Sequence, residues 1–144
     1  MSETYIHYGH KHFNKDLFEP IKNRAFFVKP FGGLWASNVN ARFGWKDWCE
    51  AEEFCDCDKE NSFSFTISDN ARILQINSVK DIETLPTHKD DLSCSWTILD
   101  FEQLSKMYDA IEANISNNNE LYFALYGWDC DSILVMNPDV IHEI

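Results

Sequence analysis

Apolar and polar residues alternate in short bursts along this chain, separated by turn-forming residues, a period-two pattern that predicts many brief strands. Thr4 to Tyr8 reads as a first strand ending at Gly9, and Asn14 to Phe18 as a loop or single helical turn halted by Pro20. Arg24 to Lys29 and Leu34 to Ser37 are two extended pieces joined by Pro30-Phe-Gly-Gly33. Trp45, Trp48, Cys49 and Ala51 recur at nearly helical spacing, which predicts a helix over 44–54, and Cys55 to Asp58 then begins a loop. Ser62 to Ile67 places Phe63, Phe65 and Ile67 on one face and, across Asp69-Asn70, forms a hairpin with Arg72 to Ile76.

The second half continues in the same short units. Ser78 with Asp81 starts a short helix that ends before Pro86 and carries Val79, Ile82 and Leu85 on one side, and His88 to Ser93 is a surface loop. Asp100 with Gln103 forms a capping box for a helix over 101–108, with Leu104 and Met107 inward. Asp109 to Ile115 is a strand, 116–119 a turn, and Leu121 to Tyr126 a further strand. Ser132 to Met136 is continuously apolar and therefore central in a sheet. No internal repeat or linker-like stretch divides the chain, so residues 1–144 are expected to form one α+β domain. Its architecture should be mixed or antiparallel sheets of about seven short strands with two or three helices.

Composition narrows the classes. Hydrophobic residues at 44% and only five Gly and four Pro exclude collagen-like and disordered readings. No apolar window approaches the roughly 18 residues of a membrane span, and the polar start Met1-Ser-Glu-Thr4 lacks a secretory pattern, so the expected location is cytoplasmic. A net charge of -12 disfavours direct attraction to nucleic acid or to an anionic membrane. The charge is uneven: residues 1–46 hold seven cations and three acids, whereas the remaining 98 hold five cations and 21 acids. The basic part is suited to an anionic small molecule.

Candidate metal and thiol chemistry fits poorly. His7, His10 and His12 cluster, as do Cys49, Cys55 and Cys57, but the cysteine spacings of five and one intervening residues miss the usual zinc pairs. No Cys lies beside His or in a Gly-rich elbow, and Gly32-Gly33 opens no phosphate-cradling helix. What remains is an ordered set: His7 with Gly9 two residues on, Trp35 two residues before Ser37, and Asp129 and Asp131 ahead of the last apolar strand with its Asn137-Pro138-Asp139 exit.

This order resembles the His-Tyr-Glu arrangement of the ADP-ribosyltransferase superfamily, whose fold and use of NAD it implies. The resemblance rests on three short motifs. It implies that His7 binds the ribose hydroxyls of NAD, that Gly9 belongs to the cofactor site, that Trp35 stacks on nicotinamide and that Ser37 supports the carboxamide or ribose. Arg24 and Arg42, with Lys29, would meet the pyrophosphate. Asp131 or Asp129 would be the acid that stabilises an oxocarbenium-like transition state. The family's acid is usually Glu, and here the position in register with the Asn137-Pro138 exit falls on Ser132, one residue after Asp131.

The expected activity is therefore transfer of ADP-ribose from NAD to a macromolecular acceptor, a protein, as compact phage or bacterial effectors and inhibitors of bacterial defence do. A second reading needs no cofactor: an acidic binding protein that inhibits a nucleic-acid-binding partner by imitating phosphate charge. Asp47 to Glu60, with seven acids and one Lys, is the feature behind it.

Overall fold

Aromatic and β-branched residues favour the pleated, half-buried surface of a sheet, and the described residues form nine short strands where they recur. The computed structural model describes residues 3–8, 10–23, 30–40, 44–45, 62–89, 97–115, 118–124, 128 and 130–144. In chain order the strands are β1 (Thr4–Tyr8), β2 (Leu34–Asn38), β3 (Ser62–Ile67), β4 (Ile73–Ile76), β5 (Thr87–Lys89), β6 (Thr97–Leu99), β7 (Ala110–Ala113), β8 (Ser132–Val135) and β9 (Ile141–Glu143). Among the described residues, α1 (Phe101–Met107) and α2 (Asn119–Ala124) are helices, with 3-10 turns at Lys15–Leu17, Val79–Ile82 and Pro138–Val140. The α+β expectation holds, with nine strands among the described residues rather than about seven.

Seven strands form one mixed sheet in the order β4-β7-β8-β2-β1-β3-β9, and β5 and β6 form a separate antiparallel pair. Among the described strands only β4 and β7 run parallel. Strand β2 divides its length between neighbours: Leu34 to Ala36 pair with β8, whereas the β1 ladder engages Ser37 and Asn38. Side-chain alternation then sends two cores to opposite faces. One face holds Ile111, Ala113 and Leu134 under α1 and α2, with Phe101, Leu104, Leu121 and Trp128. The other holds Tyr5, Ala36, Phe63, Phe65, Ile133 and Val135. All four residues of β8 are buried, as the unbroken apolar run predicts for a strand covered on both faces.

The expected hairpin between Ser62–Ile67 and Arg72–Ile76 does not form. Ala71 N does close a tight turn onto Ser68 O, at 3.0 Å. The edge of β3 nevertheless goes to β9, and β4 pairs with β7. These two strands stand five places apart in the sheet, about 24 Å if it were flat. The six steps from Ile67 to Ile73 span at most about 21 Å. The sheet therefore curls, and Tyr5, Phe65 and Ile67 lie in its concave side beside Ala71 and Ile73.

Three smaller expectations also change. Residues 119–124 are helical rather than extended, because Asn118 Oδ1 accepts from Leu121 N at 3.0 Å and caps a first turn. His88 and Lys89 belong to β5 instead of a loop. Met107 is 46% exposed, since α1 ends there and Tyr108 takes the place against the core. The Asp100 cap is present, with Gln103 N on Asp100 Oδ1 at 3.2 Å and Gln103 Nε2 on Oδ2 at 2.9 Å. The strand expected at 24–29 lies outside the described residues, as does the helix expected at 44–54 beyond Gly44 and Trp45. Among the described residues no helix is long and apolar enough to cross a membrane.

Candidate functional site

Strands β1, β2 and β8 carry His7, Trp35 with Ser37, and the residue that follows Asp131, and they are immediate neighbours in the sheet. Positions more than ninety residues apart thus meet across two strand spacings. Gly9, Arg24, Arg42 and Asp129 lie outside the described residues.

His7 stands where the β1–β2 ladder ends. Beyond the Ile6–Ser37 pair its Nδ1 lies 2.6 Å from Trp35 O, so the ring nitrogen donates to that carbonyl. Donation from Nδ1 leaves Nε2 of the neutral ring as an acceptor. Burial keeps the imidazole pKa below its usual value, and nearby His10 adds to the effect against the Trp35 carbonyl. The ring tilts against Phe63 at 5.2 Å and opens on a cleft of about 120 Å³ walled also by Phe13, Phe18, Leu34 and Gly33.

Trp35 points the other way. Tyr5 opposes Asn38, so alternation puts His7 with Ala36 on one face and Trp35 with Ser37 on the other. The Trp35 ring meets Trp128 edge-on at 4.7 Å and Trp45 at 6.4 Å, within the α1 and α2 core. Ser37 is buried with it; its Oγ donates to Asp131 O at 2.9 Å and accepts from Trp45 N at 2.9 Å. That hydroxyl joins β2 to the head of β8 and to the chain at Trp45.

Asp131 is 4% exposed, and its charge is felt by Glu112 on β7, a residue that sequence pattern alone treats as an outward alternation. Burial raises the Glu112 pKa above its ordinary value, Gln75 and Tyr5 oppose this by hydrogen bonding, and the charges of Glu3 and Asp131 reinforce it. Gln75 Nε2 donates to Glu112 Oε1 at 2.8 Å, and the Tyr5 hydroxyl donates to Glu3 Oε2 at 3.3 Å. Burial and the two carboxylates Glu112 and Glu3 push the Tyr5 phenol far up. Tyr5, Gln75 and Glu3 also line a second recess of about 210 Å³ on the same face. The available signal is a lone acid among apolar residues in Ala110-Ile-Glu-Ala113, a strand short enough to be buried on both faces.

Among the described residues no group of three His, Cys, Asp or Glu is placed to hold a metal ion. The acidic run at 47–60 lies outside the described residues. No family model, curated protein or solved structure matches the chain.

Proposed function

We propose that this protein is an ADP-ribosyltransferase-like transferase that uses NAD to modify a macromolecular acceptor, a protein. The observation that supports the reading is the adjacency of β1, β2 and β8, which brings a tautomer-fixed His7 and a buried Asp131 to one region of the sheet.

The size of the His7 cleft supports this reading for one end of NAD. The cleft is well below the roughly 300–1,000 Å³ of sites that enclose whole drug-sized ligands, so it suits a ribose or a single ring. NAD supplies an activated N-glycosidic bond whose nicotinamide departs with the bonding electrons. His7 Nε2 accepts a ribose hydroxyl, and Phe63 with Phe13 and Phe18 provides flat apolar walls that exclude water. On this reading Asp131 would be the carboxylate that stabilises positive charge developing at the anomeric carbon. In this arrangement Trp35 acts through its backbone carbonyl, which holds the His7 imidazole, rather than through its ring, and Ser37 acts through its hydroxyl, which holds the Asp131 carbonyl.

Calorimetric titration with NAD tests the reading. The wild-type chain is expected to bind saturably, His7→Asn to bind about tenfold more weakly, and Asp131→Asn to bind comparably but lose release of nicotinamide. No heat at millimolar NAD, with the protein folded by circular dichroism, would sink the proposal.

A further inference from the structure

The wall of the His7 cleft opposite the sheet comes from residues 10–18, through His10, His12, Phe13, Asn14 and Phe18. At one end of this segment His10 Nδ1 lies 3.2 Å from His7 Nε2, and the two rings stack at 5.4 Å. Since His7 Nδ1 is committed to Trp35 O, the hydrogen between the two imidazoles comes from His10. His10 thus occupies the one lone pair that His7 can offer.

The segment is fastened elsewhere by exposed contacts to the C-terminal stretch. Glu143 takes both His12 Nδ1, at 2.9 Å on Oε2, and Phe13 N, at 2.7 Å on Oε1. Lys15 pairs with Asp139. The hydrogen bond from His12 lowers the Glu143 pKa, which keeps that carboxylate charged. Exposed pairs of this kind hold weakly and release readily.

We propose that residues 10–18 are a strap latched across the cleft by Glu143 and Asp139, and that the strap lifts to give a hydroxyl-bearing ligand access to His7. The inference rests on the reading of this cleft as the ligand site. A ligand hydroxyl and His10 compete for the same Nε2 lone pair, so binding requires His10 to leave. Lifting the strap also removes one wall from a cleft of about 120 Å³, which a dinucleotide cannot enter closed.

The test is acylation of unprotonated histidine by diethyl pyrocarbonate, read residue by residue by mass spectrometry without NAD present. In the wild type, His7 is expected to react far more slowly than exposed His142. Glu143→Ala is expected to accelerate His7 about fivefold while His142 keeps its rate. Lys15→Ala, which leaves the β3–β9 ladder untouched, should accelerate His7 in the same direction. Unchanged His7 rates in both variants, or a wild-type His7 already as reactive as His142, would overturn the strap. Accelerated His7 together with failed NAD titrations would leave the strap standing and defeat the cofactor reading alone.

Discussion

The His7 imidazole donates to Trp35 O at 2.6 Å while the Trp35 ring packs on the opposite face of the sheet, against Trp128. Main chain and side chain of one residue therefore serve two sides of the fold. Trp35→Ala should cost about 3 kcal/mol of unfolding free energy through the cavity it leaves. Trp35→Phe should recover most of that, because the carbonyl that holds His7 is unaltered; urea unfolding of both variants measures the difference.

The same hydrogen bond sits on a buried imidazole, and its pKa is lowered by that burial. Between the folded value and the unfolded value of about 6.5, the unfolded chain binds more protons. Stability therefore rises with pH through that window and falls on acidification. His7→Asn should flatten this slope below about pH 6.5, as measured by unfolding at a series of pH values.

Glu112 has the opposite sign. Its folded pKa is raised, so its favourable contribution is complete below the unfolded carboxyl value and is lost as pH rises through the folded one. Glu112→Gln keeps an oxygen acceptor and removes the buried charge. It should stabilise the protein by about 1 kcal/mol at pH 7 and by little at pH 4, measured by thermal melts at both.

Ser37 makes two buried hydrogen bonds with a single oxygen. Ser37→Ala removes the hydrogen bonds that this hydroxyl makes to the Trp45 amide and the Asp131 carbonyl, at a cost of about 2 kcal/mol. The urea midpoint should fall with an unchanged slope.

Gly32 has φ +82°, and a Cβ there would come within 2.2 Å of Pro20 O. Both the left-handed backbone and the close approach oppose any side chain. Gly32→Ala should destabilise by roughly 3 kcal/mol, the upper part of the cost of backbone strain, and a lowered melting temperature would register it.

Much of the local structure is legible in the residues themselves. Alternation at Phe63, Phe65 and Ile67, the unbroken apolar run at Ser132–Val135 and the Asp100–Gln103 cap all depend on interactions within a few residues, and each element stands where its pattern predicts. Asn118 was equally local, but the apolar residues after it fit a strand as well as a helix until the cap is seen. For the candidate site, the order of His7, Trp35, Ser37 and Asp131 could be read, but the side each residue faces could not.

Pairing is where local pattern stops. Strand edges offer the same donors and acceptors to any partner, so the turn at Asp69-Asn70 could not by itself dictate that β3 joins β1 and β9 while β4 joins β7. That choice belongs to the curled sheet, which in this order buries apolar residues on both faces. The same curl encloses Glu112 beside Tyr5, and the β1–β2 register puts the Trp35 ring on the face opposite His7. Most extended runs, turns and caps follow from short-range energies between neighbouring residues and are therefore legible along the chain. Which edges meet, and which polar groups are buried together, depends on burial over two faces, a property of the whole sheet.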